Sequence, residues 1–530
     1  MATRRSLVLG MLMISLLCSP QSAVGDDIPD DFNSTYFPTG FYFGSSTSAY
    51  QIEGQANKKC RGPSMWDTFA HNYPERIADG SNGDVADDFY HHHRHDIQLM
   101  AGMGLNSFRL SISWSRVIPS GRIKEGVNEE GIRFYNRVIN ETIARGLEPF
   151  VTIFHWDVPQ ALVDSYGGFL SRAIVEDYKD FAELCFQKFG DRVKYWITVN
   201  EPWTFSLYGY DQGTLAPGRC SSWVNKACQA GNSATEPYIV NHNLIFAHAT
   251  AVRLYREKFQ ATQNGKIGMT LVTFWYEPYN SSDYADQDAA KTAIDFMFGW
   301  FMDPVTYGQY PRSMQKLVGR RLPKFVGNEA EFVKGTYDFL GLNYYTGYYA
   351  SANFTADPNP DHISYSTDSH VTVTPYRNDI PIGNATAVSW LYVYPEGVRY
   401  LLNYTKDTYK NPDIYITEIG LGEAKNETSP DNLEDPWRID YYKSHLWNIL
   451  GSIDNYTVPV KGFSMWSFMD NYEWGSGYTL RFGLFYVDYE NKLARLPKAS
   501  VNWFKNFFNV GSPKSGSIKI NPLPINVTDA

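Results

Sequence analysis

The chain has 530 residues, of which 43% are hydrophobic, 16% aromatic and 20% charged, with a net charge of −10. That length admits two or three average domains or one large α/β domain with insertions, and the apolar content is ample for a core. The negative balance is spread without acidic or basic blocks, which argues against a nucleic-acid partner and places the chain among soluble globular proteins.

The first 25 residues read as a segment apart from the fold. Arg4 and Arg5 precede an apolar run from Leu7 to Leu17, then small residues and Ala23-Val24-Gly25 lead to Asp26, the order of a cleaved secretory signal. The run is too short for a spanning helix and no later segment is long and apolar enough, so no membrane association is expected once the signal is removed. The expected organisation is a signal over residues 1–25 and one catalytic domain over 26–530.

Cys18 leaves with that signal, and Cys60, Cys185, Cys220 and Cys228 are too few for a disulfide framework. Cys220 and Cys228 lie close together in a polar, Gly-containing segment and are expected to close one loop. There is no CxxC pair or zinc spacing, and neither a metal nor a cofactor is expected. Asn-x-Ser/Thr acceptors begin at Asn33, Asn140, Asn280, Asn353, Asn384, Asn403, Asn426, Asn455 and Asn526. Together with a signal they predict a glycoprotein of the secretory pathway. The ending "INVTDA" carries no KDEL-type retention signal, which leaves the extracellular space (apoplast) and the vacuole open.

Along the chain, short apolar runs recur, each closing on polar or aromatic residues. In order they are "GFYFGSSTSAYQ", "NSFRLSISWSR", "LEPFVTIFHW", "KYWITVNEP", "KIGMTLVTFWYEP", "YDFLGLNYYT", "PDIYITEIG" and "VKGFSMWSFMD". Between most of them lie segments with helical spacing, such as "EGIRFYNRVINETIARGL" and "AIVEDYKDFAELCFQKFG". Strands alternating with helices in this number predict an α/β fold, a single (β/α)8 TIM barrel, with reactive residues gathered at the carboxyl ends of the strands. The polar stretch from Ser351 to Val388 reads as a long loop insertion at the barrel mouth. In "YHHHRHD", His91, His92, His93 and His95 suggest a metal hydrolase, but consecutive helical residues point to different faces and no HExxH spacing is present.

Two runs end in glutamate, Glu201 after "ITVN" and Glu418 after "YIT". One such residue is ordinarily a strand-end or salt-bridge group. Two facing each other across a barrel mouth are what glycosidic cleavage needs, because the leaving oxygen must gain a proton while the sugar carbon gains an anion. The neighbours fit sugar binding: Gln51 follows the first run, His155 and Trp156 end the third, Asn343 and Tyr345 end the sixth, and Trp466 lies in the eighth. Amides, imidazole and carboxylate bind hydroxyls, and Trp faces stack on a pyranose ring.

Taken together, "WITVNEP", "YITEIG", "FHWDVPQAL", "GSSTSAYQIEG", "FRLSISWSR", "LNYYT" and "WSFMDNYEWGSGYTLRFGLFYVDY" resemble the motifs of glycoside hydrolase family 1, its plant secretory β-glucosidases in particular. The similarity runs from about residue 37 to about residue 508. It implies a retaining β-glucosidase acting on O-linked glucosides of small plant metabolites, with Glu418 as nucleophile and Glu201 as general acid/base, their carboxyl groups about 5–5.5 Å apart. It also implies Gln51, His155, Asn200, Glu473 and Trp474 as sugar hydrogen-bonding partners, Trp466 as stacking floor, Trp390 as aglycone platform and Phe482 in the lining. Arg109 and Tyr345 would sit beside Glu418.

One departure is Ile419, where the family usually has Asn after the nucleophile, expected to alter the turn or the aglycone entrance. Glu201 favours O-glycosides over thioglucosides, whose hydrolases usually carry Gln there, and Glu473 disfavours a 6-phosphorylated sugar. A transglycosidase on the same scaffold and a non-catalytic sugar-binding protein are the remaining readings. The sequence leaves a homo-oligomer open.

Overall fold

The computed structural model describes residues 28–509 except 57, 59 and 354–361. The expected signal, Cys18 and the Asn526 acceptor lie outside the described residues.

Each of the predicted runs supplies one barrel strand. These are β1 (Tyr42–Ser46), β2 (Ser107–Ser111), β3 (Glu148–Phe154), β4 (Tyr195–Asn200), β5 (Lys266–Val272), β6 (Phe339–Asn343), β7 (Ile414–Ile419) and β8 (Val460–Met465). All pair in parallel with their sequence neighbours, and β8 returns to β1, closing the barrel. They are buried along most of their length; β3, β5 and β6 are nearly continuous apolar runs, whereas β2, Ser-Phe-Arg-Leu-Ser, alternates and brings Arg109 inside.

Helices α1 (Phe89–Ala101), α2 (Glu129–Ala144), α3 (Ile174–Phe189), α4 (Glu236–Lys258), α5 (Tyr284–Ile294), α6 (Pro395–Thr408), α7 (Pro436–Tyr456) and α8 (Ala499–Phe508) accompany the strands. The start of α2 is set by Asn128, whose side chain accepts from the Glu130 N–H, with Glu129 and Glu130 in the first turn complementing the helix dipole. Its buried face, Ile132, Tyr135, Val138, Ile139 and Thr142, follows the helical period. On α1, His91, His92 and His95 face solvent, whereas His93 is buried with its ring edge-on to Phe89 and Phe134.

The barrel interior is graded. At the amino-terminal end an aromatic plug closes the cylinder, with Phe150 stacked on Tyr195 at 4.3 Å and Tyr415 set against Phe339 at 5.2 Å and against Tyr195 at 5.5 Å. A hydroxyl layer follows, in which the Thr270 hydroxyl donates to Thr417 at 3.2 Å. Gly341 permits it, since a Cβ there would stand 2.2 Å from the Thr270 oxygen. Charged and amide groups occupy the open end.

Two expectations are corrected. The fifth run splits: after β5 the segment Trp275–Pro278 leaves the barrel and pairs in parallel with Gly347–Ala352. The Ser351–Val388 insertion is partly regular, because the β-branched alternation in Val371–Thr374 adds an antiparallel strand to that sheet and Tyr365–Asp368 forms a helical turn. Cys220 and Cys228 are bonded, with Cα atoms 5.6 Å apart, while Cys185 is buried and Cys60 exposed.

Among the expected glycan acceptors, Asn140, Asn280, Asn384, Asn426 and Asn455 are exposed, and Asn33 and Asn353 are half-buried. Asn403 is half-buried too; it lies within α6 with both amide heteroatoms buried.

Candidate active site

The end of β4 answers why a buried strand delivers Asn and Glu. The β4–β5 register shifts between Ile197 and Asn200, and Glu201 then adopts a left-handed conformation, φ +43°, before Pro202 opens the helix Pro202–Ser206. The Glu201 N–H still donates to the Thr270 carbonyl at 3.0 Å, so the strand hydrogen bonding is kept while the side chain is re-aimed. Trp156 at φ +73° and Trp474 at φ +51° are left-handed too. Such backbone strain in bulky residues collects at sites where a side chain must point against the regular direction. The corresponding device on β7 is a register shift between Ile416 and Glu418 against β6.

A hydrogen-bond web joins the two glutamates. Arg109 donates through Nη1 to Glu418 Oε1 and through Nη2 to Asn200 Oδ1 at 2.5 Å. Tyr345 OH donates to Glu418 Oε2 at 2.8 Å. Asn343 Nδ2 donates to Glu201 Oε1 at 2.6 Å and reaches Asn200 Oδ1 at 3.3 Å, while Thr204 OH donates to Glu201 Oε2 at 2.8 Å. Thr417 OH fixes Asn343 by donating to its Oδ1 at 2.7 Å. Asn200 is held from two further sides, by Trp156 Nε1 on its carbonyl at 2.9 Å and by His155 Nε2 against its amide at 3.1 Å.

The two carboxyls are therefore placed in unlike environments. Glu418 forms an ion pair with a guanidinium that is 1% exposed. Glu201 has only neutral hydrogen-bond donors; burial first, and the negative charge of Glu418 second, push its carboxyl up to about 8, against the opposing pull of Asn343, Thr204 and Arg109. Glu473 is also pushed up to about 8, by burial and then by Glu418. Burial and the Arg109 charge hold His155 well below the usual imidazole range, so at neutral pH its ring is uncharged.

These groups line a cavity of about 260 Å³. Among the residues singled out from the sequence, it brings together Glu201, Glu418, His155, Asn200, Tyr345, Trp390, Trp466, Glu473, Trp474 and Phe482. Trp466 and Trp474 each lie nearly parallel to the His155 ring, at 6.1 and 5.9 Å. Trp390 is 37% exposed and stands edge-on to Tyr345 at 5.7 Å.

Besides Arg109, three of the singled-out residues lie outside the lining. Asn343 is fully buried, with its amide hydrogen-bonded to Glu201, Asn200 and Thr417. Gln51 is likewise fully buried, donating to Asn471 Oδ1 at 2.9 Å and the Tyr472 carbonyl at 3.0 Å and lying 3.5 Å from Oε2 of Glu473, a lining residue. Ile419 is buried and absent from the lining, and its carbonyl accepts from the Trp466 N–H at 2.8 Å.

The lining also includes residues that the sequence reading did not name, among them Trp203, Thr204, Tyr208, Leu215, Phe274 and Leu480. Only Thr204 carried a signal, three residues after Glu201 at a helix start. Trp203 and Tyr208 come from the helical segment that follows β4, Leu480 from a two-residue strand, and Leu215 and Phe274 from loops.

The model of the family described as "Glycosyl hydrolase family 1" matches residues 33–512. Over 503 residues the chain is 52% identical to β-glucosidase 12 of Oryza sativa subsp. indica, covering 94% of this chain and 98% of that protein. It is 52% identical over 505 residues to furcatin hydrolase of Viburnum furcatum, covering 93% and 92%. A rice β-glucosidase, crystallised as a glutamate-to-glutamine mutant in covalent complex with Glc from GA4GE, superposes with a TM-score of 0.88 at 46% identity, covering 90% of this chain and 99% of that one.

Proposed function

This chain belongs to glycosyl hydrolase family 1, and we propose on that footing that Glu418 is the nucleophile and Glu201 the general acid/base of a retaining β-glucosidase. The enzyme is a glycosidase of the plant β-glucosidase type. In the first step a Glu418 carboxylate oxygen attacks the anomeric carbon as Glu201 transfers its proton to the departing aglycone oxygen. In the second, Glu201, now ionised, takes a proton from water, which displaces Glu418 and releases the sugar. Small secondary metabolites are the proposed aglycones, in keeping with a relative that is a furcatin hydrolase.

The observation that carries the assignment is the asymmetry of the pair. Glu418 has Arg109 and Tyr345 on its two oxygens, the setting of an ionised nucleophile, and its negative charge helps keep the proton on Glu201. Arg109 also grips Asn200, whose amide lines the same cavity. In this reading Asn200 holds a sugar hydroxyl next to the reacting carbon, and Glu473, His155 and Trp474 hold the others over the Trp466 face.

A 2-deoxy-2-fluoro-glucoside with a good leaving group tests the reading. The enzyme should gain one fluorosugar mass on the peptide containing Glu418 and lose activity in step; label on another peptide, or none, refutes the assignment.

The pH profile follows from the same geometry. Glu201 must carry its proton when the aglycone leaves, so kcat/KM for unactivated aryl glucosides should stay level up to about pH 8 and then fall tenfold per pH unit. In Glu201→Gln, assayed with a dinitrophenyl glucoside that departs unassisted, that basic limb should vanish. A limb that persists belongs to another group.

For location, no helix among the described residues is long and apolar enough to cross a membrane. The exposed Asn acceptors and the Cys220–Cys228 bond support a secretory route. Endoglycosidase treatment of the natively expressed protein, followed by mass measurement, checks it.

A further inference from the structure

Beyond the reacting groups, the cavity has an uneven charge. Every lining side chain that bears a formal charge in some step of the reaction is a carboxyl: Glu201, Glu418 and Glu473. His155 is uncharged, and among the described residues no Lys or Arg lines the cavity. The nearby guanidinium, Arg109, sits beneath the lining with its Nη atoms committed to Glu418 and Asn200, out of reach of a ligand. Above the strand ends Trp203, Tyr208, Leu215, Phe274, Trp390 and Leu480 form a wall of aromatic and aliphatic faces. Trp390 and Phe274 lie near parallel, 20° apart with centroids 6.0 Å from each other, so the wall presents flat apolar surface.

We propose that this outer wall makes the enzyme selective by aglycone charge, accepting flat neutral and cationic aglycones and rejecting anionic ones. The inference rests on the glucosidase reading and narrows its substrate class. An anionic substituent entering this space loses hydration and meets no counter-charge, because Arg109 is already paired with Glu418. A cationic one loses hydration too, but is attracted by the faces of Trp203, Tyr208 and Trp390. A neutral planar one gains the apolar contact alone.

Three β-glucosides of one phenol isolate the charge: 4-(carbamoylmethyl)phenyl, 4-(carboxymethyl)phenyl and 4-(trimethylammoniomethyl)phenyl, in which the methylene keeps the leaving phenolates similar. At pH 6.5 kcat/KM for the carboxylate should be about tenfold or more below that for the amide, because the carboxylate gives up hydration with no partner in the wall. The ammonium compound should match or exceed the amide. A carboxylate turned over within about twofold of the amide overturns the proposal.

Leucine 480 stands in the lining on the short strand Leu480–Arg481, and Leu480→Lys adds the missing cation. In that variant the amide-to-carboxylate ratio should shrink at least about threefold; an unchanged ratio in a folded variant overturns the assignment to this wall. If the variant does not fold, competitive inhibition of the wild type decides, with 4-hydroxyphenylacetamide expected to bind at least about fivefold tighter than 4-hydroxyphenylacetate. Hydrolysis of the neutral amide glucoside separately tests the glucosidase reading, so the failure of one is told apart from the failure of the other.

Discussion

Glu418→Gln should lower kcat for every β-glucoside by on the order of 10⁵- to 10⁶-fold, the scale seen when other covalent nucleophiles are removed. The loss should be independent of the leaving group, because without an attacking carboxylate neither a good nor a poor aglycone has a covalent route. Gln is the informative replacement. Its carbonyl oxygen still accepts from Arg109 Nη1, and its NH₂ can donate to the Tyr345 oxygen, so the buried web around the position survives. Both replacements remove the counter-charge of Arg109, 1% exposed, but Glu418→Ala also removes its hydrogen-bond acceptor at this position, and leaving a buried charge with neither costs about 3–5 kcal/mol. A variant that binds glucose with wild-type affinity yet turns over normally would transfer the nucleophile role elsewhere.

The same contrast shows which parts of this molecule were legible from its sequence. The barrel strands were visible because a parallel strand covered on both faces is rich in apolar residues, and its end carries the polar groups that the rim uses. Glu201 and Glu418 were legible for that reason, as was Arg109 through the resemblance. What was not legible is the direction taken by a polar side chain at a strand end. Asn343 and Gln51 occupy rim positions suited to sugar hydroxyls, yet the amide of each is hydrogen-bonded within the protein, to Glu201 and to the Tyr472 carbonyl. Strand position fixes where a Cα stands, whereas the register shifts in β4 and β7 decide which atoms converge.

Residues beyond the barrel strands were hidden for a different reason. Phe274, Leu215 and Leu480 reach the cavity through tertiary packing of segments with no periodicity to read. The fifth run illustrates it: "FWYEP" looks like the end of a barrel strand, but Trp275–Pro278 departs to pair with Gly347–Ala352, and that departure leaves Phe274 at the rim facing Trp390. Asn403 shows the converse, a surface motif on paper whose amide heteroatoms are buried.

Glu201→Gln should produce a loss that depends on the leaving group, which separates its role from that of Glu418. With an unactivated alkyl or phenyl glucoside, removal of the proton donor should cost about 10²- to 10⁴-fold in kcat/KM. With a dinitrophenyl glucoside the first step needs no proton, so kcat/KM should stay within about tenfold of the wild type while kcat collapses, because the glucosyl-enzyme now waits for an unassisted water. Glutamine preserves acceptance from Asn343 or Thr204 at its carbonyl oxygen, and the substitution replaces a carboxyl held near 8 by a neutral group of the same shape, so stability should change little. Azide requires no general base and should restore kcat on the dinitrophenyl substrate, yielding β-glucosyl azide, the product of a second inversion at the same carbon. Retention in that product needs both halves of the mechanism: Glu418 on one face of the sugar, and on the other the space that the departed aglycone leaves beside position 201. An α-configured azide, or no rescue at all in a variant that still labels with the fluorosugar, would place the acid/base on a different side chain.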